Sequence, residues 1–198
     1  MKFDSVTNVR TFELIYKKDS LGLYKTSLLG EYVIGDILGC IQIAKHLNLS
    51  DTEIKIGIEN IIPIPHRLQP IINSKKKIVI IDDSYNGNST GVNEAIKVLN
   101  EYKSKRKIFV TPGIAETGDK NRTIHFEIGK KLSKVADLVV LINNSATPYI
   151  KEGLLYRDFS EKNILFFNSS LEAYEKINKI LKPNDVILFQ NDWPENYL

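Results

Sequence analysis

A chain of 198 residues, 42% hydrophobic and 26% charged, has material for one good core, or for one core and a small satellite, and reads as a soluble globular protein. Twenty-seven basic against 24 acidic residues give a net charge of only +3. The two basic runs, Lys75-Lys76-Lys77 and Lys103 to Lys107, read as solvated turns, so no nucleic-acid and no membrane partner is expected. No stretch approaches about 18 continuous apolar residues and no apolar leader follows Met1, while Cys40 sits in an apolar stretch with no second cysteine to pair with. These features point to a cytoplasmic protein with a core thiol.

In chain order, Thr11 to Tyr16 alternates like a half-buried strand, Asp19-Ser20-Leu21-Gly22 reads as a turn, and Leu23 to Leu29 alternates again, which makes a hairpin. Val33 to Leu47 carries Ile34, Ile37, Leu38, Ile41 and Ala44 at helical spacing. A second short helix follows Ser50-Asp51-Thr52-Glu53, where Ser50 can cap and Glu53 can close a capping box. The stiff Ile62-Pro63-Ile64-Pro65 segment reads as a hinge. It divides the chain into a small α+β piece, residues 1–65, and a second domain, residues 66–198.

Beyond the hinge the pattern changes to regular alternation. Strands are expected at Lys77 to Ile81, Lys107 to Thr111, Asp137 to Ile142, Asn163 to Phe167 and Asp185 to Phe189. Helices are expected between them near Thr90 to Tyr102, Arg122 to Val135, Pro148 to Gly153 and Leu171 to Leu181. The strands are short, continuous and rich in Ile, Val and Leu, as strands covered on both faces must be. This is an α/β pattern, and a Rossmann-like, mostly parallel sheet with flanking helices and right-handed crossovers follows from it.

Parallel strands all point the same way, so the polar segments after them gather along one edge, where open α/β sheets bind ligands. The richest is Asp82-Asp83-Ser84-Tyr85-Asn86-Gly87-Asn88; others are Pro112 to Asp119, Asn143-Asn144-Ser145 and Asn191-Asp192. A carboxylate here suits paired ribose hydroxyls, and the amides of Asn86 and Asn88 can donate to a carboxylate or phosphate oxygen. The competing reading is that Asp83 caps the helix beginning near Ser89 and that Tyr85 covers the sheet edge with its ring. His125 and Glu127 fall in the first turns of a helix, where a solvated or supporting role is expected, and the terminal Asp192 to Tyr197 reads as an arm with Trp193 packing. The chain has no His-x-x-x-His or Cys-x-x-Cys spacing, so no protein-built metal site is expected. It has no Gly-x-x-x-x-Gly-Lys-Ser/Thr loop and no glycine-rich dinucleotide fingerprint after Ile81. A nucleotide touching this domain must have its phosphates held elsewhere.

His66-Arg67-Leu68-Gln69, the Asp82 to Asn88 segment, Pro112-Gly113-Ile114-Ala115-Glu116-Thr117-Gly118 and His125-Phe126-Glu127-Ile128-Gly129 together resemble the C-terminal domain of the Mur ligases, most closely the members that add D-alanyl-D-alanine. Leu28-Leu29-Gly30-Glu31 and the helix after it resemble the end of that family's central ATPase domain. The resemblance implies ATP as cofactor, with its phosphates and Mg2+ held mainly by a central domain whose glycine-rich loop would lie upstream of Met1. The chain is then a C-terminal fragment, a split gene or a truncated relative, not competent alone, with an upstream ATPase domain or polypeptide as partner. In such ligases ATP phosphorylates a substrate carboxylate, and an incoming amine attacks the acyl phosphate to give an amide, ADP and phosphate, a step in peptidoglycan precursor synthesis.

Carried over by position, Arg67, Asp83 and Tyr85 would contact the nucleotide, with Asp83 on its ribose, and Asp36 stands where an adenine contact lies. Asn86, Asn88, Glu116, Asn143 and Asn144 would receive the incoming amino acid or dipeptide, with His125 behind them. The chain departs from the pattern with Gly87 for alanine, Ser89 for proline, Tyr32, Val33 and Asp36 for a His-Asn and later Asn, and Gln190-Asn191-Asp192-Trp193-Pro194 for Lys-Gly-Ser-Arg. Two other classes remain: a non-catalytic binding or assembly module derived from a Mur ligase, which the changes at Tyr32, Val33 and Asp36 favour, and an unrelated Rossmann-like enzyme for small acids, since short motifs recur by chance.

Overall fold

The computed structural model describes residues 1–16, 18–85 and 87–190. The chain divides into two compact units, Met1–Ile64 and Pro65–Leu198.

In the first unit, β1 (Lys2–Asp4), β2 (Val9–Tyr16) and β3 (Asp19–Thr26) form an antiparallel sheet in that order. The turn is tighter than the sequence suggests: Asp19 already pairs with Tyr16, and a bulge between Leu14 and Ile15 absorbs the mismatch. Strand β1 was not anticipated, being too short to show an alternation. One face of the sheet packs on α1 (Val33–His46) and α2 (Asp51–Glu59) through Phe12, Tyr24, Val33, Ile37, Ile41, Ile54 and Ile58. Phe12 and Tyr24, opposite each other in register, stack with ring centroids 5.6 Å apart. The capping box at Ser50 and Glu53 forms as expected. Cys40 does not: it is exposed rather than a core thiol, because α1 turns the stripe Val33, Ile37, Ile41 inward and Cys40 lies off it.

The second unit holds a six-stranded sheet in the order β4-β5-β9-β6-β7-β8: β4 (Gln69–Asn73), β5 (Ile78–Asp83), β6 (Arg106–Thr111), β7 (Leu138–Ile142), β8 (Ile164–Phe167) and β9 (Asp185–Gln190). The last five are parallel, and β4 is an antiparallel edge. The sequence reading missed β4 because Gln69-Pro70 continues the proline-rich hinge; a proline without an N–H is tolerated on an edge strand. Right-handed crossovers through α3 (Ser89–Glu101), α4 (Asn121–Leu132) and α5 (Thr147–Leu155) put these helices on one face, and the return through α6 (Ser170–Ile180) covers the other. Ala173 and Ile177 of α6 pack with Ile108, Val110, Leu138, Val140 and Ile187, while the alternate residues Val79, Ile81, Phe109, Val139, Leu141 and Leu188 are almost fully buried on the opposite side. Helices α4 and α5 approach closely enough that a Cβ on Gly129 would meet the Ile150 carbonyl, and one on Gly153 the Phe126 carbonyl. This is the Rossmann-like, mostly parallel α/β fold.

Candidate functional site

Strand β5 runs two residues further than expected, because Gln69 pairs with Asp82 and Gln190 with Asp83. The two carboxylates therefore end a strand and point to opposite faces. Asp82 accepts from His66 Nδ1 at 2.9 Å through one oxygen and from the Ser84 hydroxyl and N–H, at 2.6 and 3.1 Å, through the other. Asp83 accepts from the Leu68 N–H at 3.2 Å. His66 and Leu68 have φ of 62° and 46°, left-handed conformations that cost a bulky residue energy and persist only when held. The paired carboxylates supply that hold. Between the two pinned residues stands Arg67, its guanidinium carbon 4.3 Å from the centroid of the half-exposed Tyr85 ring. The Tyr85 N–H closes the arrangement on the His66 carbonyl at 3.2 Å.

Burial pushes the Asp83 carboxyl up to about 7; the Leu68 N–H and the Arg67 charge pull it down, and neighbouring Asp82 adds to the rise. Asp83 does not cap α3. That cap is Asn88, whose side-chain oxygen accepts from the Gly91 N–H at 2.8 Å, so one of its two polar groups is already used by the backbone.

Beside this corner a cleft of about 1200 Å³ lies along the same edge of the sheet, walled by Gly87 and by the segments after β6, β7 and β8. His125, fully buried in α4, shapes its near wall. Its Nδ1 donates to the Asn121 carbonyl at 2.7 Å, which leaves Nε2 free to accept from the Ile114 N–H at 2.9 Å. Burial lowers the imidazole pKa, in keeping with the neutral ring this geometry needs. The ring also sits where a Cβ on Gly113 (φ +88°) would fall, 2.9 Å from Nε2. The Gly113 N–H in turn donates to Thr111 Oγ1 at 2.9 Å.

Asn144 braces the opposite wall. Its Oδ1 accepts from the Ala146 and Thr147 N–H groups at 2.8 and 3.1 Å, and its Nδ2 donates to the Pro112 carbonyl at 2.5 Å. Asn143 and Glu116 are exposed in the cleft, Glu116 with φ of 56°. The N-terminal ends of α4, α5 and α6 reach it through Asn121, Ala146 and Ser169-Ser170. Among the described lining residues Glu116 is the one ionisable side chain. Partial positive charge from three helix ends faces a space with no cation, which favours a carboxylate at one end, and Glu116 favours an ammonium elsewhere.

The fold thus brings Arg67, Asp83 and Tyr85 to one corner and Glu116, Asn143 and Asn144 to the adjoining cleft. Asn86 and the Asp192 to Tyr197 arm lie outside the described residues. Asp36 belongs to the first unit, exposed in the first turn of α1. The sequence reading missed Gln190 and Thr111, which continue the row begun by Asp83 across three adjacent strands. Thr111 Oγ1 donates to Gln190 Oε1 at 3.3 Å, and Gln190 Nε2 fills the place of a Gly87 Cβ at 2.5 Å. The signal available was a polar residue closing each of three apolar strands.

Fold and edge cleft together define a Rossmann-like α/β domain with a ligand-sized cleft at the carboxyl edge of its parallel strands. The family model for the Mur ligase glutamate ligase domain matches residues 66–190, and the chain belongs to the Mur ligase family. Among curated relatives, the UDP-N-acetylmuramoyl-tripeptide–D-alanyl-D-alanine ligase of Haemophilus influenzae is 27% identical over 195 residues, covering 92% of this chain and 42% of the relative. Among solved structures, the MurF ligase of Thermotoga maritima in complex with ADP superimposes with a TM-score of 0.71 at 20% identity, over 93% of this chain and 43% of that one. MurF from Acinetobacter baumannii gives 0.77 at 22% identity, over 94% and 40%. The structural likenesses concern the fold, and the chain spans less than half the length of each of these three proteins.

Proposed function

We propose that this chain is the C-terminal module of an ATP-dependent amide ligase of peptidoglycan precursor synthesis, preceded in residues 1–65 by the end of a Mur ligase central domain. The observation that carries the reading is the Arg67–Asp83–Tyr85 corner. A guanidinium held between two pinned residues and a carboxylate at the strand end provide a cation for a nucleotide and an acceptor for ribose hydroxyls. ATP supplies the phosphoryl group that activates a substrate carboxylate; Arg67, Asp83 and Tyr85 would hold its nucleoside end. The phosphates and Mg2+ would be held by the rest of a central domain, since this sequence contains no phosphate-binding loop.

The adjoining cleft fits the incoming amino acid or dipeptide. Its carboxylate would lie against the helix N-termini near Asn143 and Asn144 and its ammonium toward Glu116, with amide contacts from Asn86 and Asn88 and with His125 fixing the wall. Exclusion of water by closure matters here because an acyl phosphate hydrolyses readily. The chain would act in the cytoplasm with an upstream ATPase domain or polypeptide, and alone it would form no amide bond.

The test is calorimetric titration of ADP into the full chain together with a phosphate-release assay on ATP, the UDP-muramoyl peptide and D-alanyl-D-alanine. Binding that Asp83→Ala abolishes, without turnover, is expected. Turnover by this chain alone would overturn the incompetence, and ADP binding indifferent to Asp83→Ala the ribose contact.

A further inference from the structure

The two basic runs that look like separate turns in the sequence are neighbours in the fold. Residues 74–77 lead into β5, 181–184 into β9 and 102–105 into β6, three adjacent parallel strands. Their turns stand side by side at the N-terminal edge of the sheet, opposite the candidate cleft. Asn184 ties them together: its N–H donates to the Lys77 carbonyl at 2.8 Å, its Nδ2 to the Ser104 carbonyl at 3.0 Å, and its Oδ1 accepts from Lys105 Nζ at 3.2 Å.

This gathers Lys75, Lys76, Lys77, Lys103, Lys105 and Lys182. With strands about 4.8 Å apart, the charges lie within roughly one or two Debye lengths (about 8 Å at physiological salt) and act as a group. Among the described residues none of the six is in an ion pair. Two carboxylates at this edge are engaged: Asp185 holds Arg106 at 2.6 Å and Asp137 holds Lys107 at 3.6 Å. Lys76 and Lys105 rest on neutral amides, Asn178 and Asn184. Lys103 and Lys182 follow the C-termini of α3 and α6, whose dipoles offset part of the repulsion; Lys75 to Lys77 lie in a strand–strand turn without such an offset.

We propose that this edge docks the protein on an anionic phospholipid bilayer. Lysines on short turns along one edge offer point charges to a plane of phosphates. Nucleic acid fits the surface less well: the one aromatic ring in the three turns, Tyr102, is fully buried, the turns hold no arginine, and Arg106, which opens β6 beside them, gives both its Nε and Nη2 to Asp185. Among the described residues no helix is long and apolar enough to cross a membrane, so attachment is adsorption, with the cleft on the far edge left open.

The experiment is co-sedimentation of the full chain with vesicles of about 30% phosphatidylglycerol in phosphatidylcholine, against phosphatidylcholine alone, at about 0.1 M salt. Binding to the anionic vesicles only, weakening as salt rises, is expected. Each lysine near such a surface contributes about fivefold to partitioning, so the combined Lys75→Gln, Lys76→Gln and Lys182→Gln variant should lose about a hundredfold. Removing Lys2, Lys25 and Lys120 in the same way should cost far less. Failure to sediment with anionic vesicles overturns the proposal, as does an equal loss in the second variant. Tighter binding to poly-uridylate RNA at the same salt reassigns the surface to nucleic acid and also overturns it.

Discussion

Replacing Asp83 with asparagine changes one charge and almost no shape, and its consequence depends on pH in a direction the structure fixes. The carboxyl titrates at about 7 when folded and near 3.8 when exposed. A group whose pKa is raised by folding stabilises the protein while protonated, so its contribution is complete below about pH 3.8 and is lost as pH rises to 7. Between those values the folded chain binds one more proton than the unfolded one, and stability falls by about 1.4 kcal/mol per pH unit from this residue alone, about 4 kcal/mol in all. Asparagine still accepts from the Leu68 N–H but cannot ionise. The difference in unfolding free energy, variant minus wild type, should therefore climb by about 4 kcal/mol from pH 4 to pH 7 and then level off. Urea unfolding followed by circular dichroism at half-unit steps of pH measures it, and the other titrating groups cancel in the difference. Parallel curves for the two proteins would refute the reasoning. A ribose hydroxyl donating to Asp83 selects the ionised form, so ADP affinity should rise about tenfold per pH unit below 7 and then plateau.

Three further outcomes are expected. Gly153→Ala places a methyl group against the Phe126 carbonyl and should destabilise the second unit by about 1–3 kcal/mol despite the better helix propensity of alanine, measured by urea midpoint. Gly39→Ala, in α1 with nothing within 4 Å of its Cβ position, should have the opposite sign, stabilising by up to about 1 kcal/mol; a midpoint at or below wild type would contradict it. His125→Leu leaves the buried Ile114 N–H unpaired and should cost about 1–3 kcal/mol, with faster amide exchange confined to residues 112–118; protection unchanged there would remove His125 from its role in holding the wall.

Much of the architecture was legible because burial writes period into sequence. Strands covered on both faces, such as Leu138 to Ile142, appear as unbroken apolar runs, and helix caps such as Ser50 with Glu53 carry their own short-range signature. Short-range patterns failed where the deciding partner was distant. Strand β4 carried no signal of its own because its reason for being extended is β5. Cys40 looked buried because its sequence neighbours are apolar, while its position around α1 faces outward. Asp82 and Asp83 looked like turn residues until pairing with Gln69 and Gln190 drew them into the strand. In the cleft, the sequence supplied amides but not their occupation: Asn144 spends its side chain on the backbones of Pro112, Ala146 and Thr147, and Asn88 spends its oxygen on α3.

The sequence by itself determined the α/β alternation, the concentration of polar residues after the strands and the absence of a phosphate-binding loop, since each is a local property of composition and spacing. Tertiary structure alone decided which polar groups remain available to a ligand, that Asp83 is buried enough to titrate near neutrality, and that lysines about a hundred residues apart share one edge. Desolvation and summed charge depend on what lies nearby in space, and the order of strands in the sheet, rather than the order of residues in the chain, sets that.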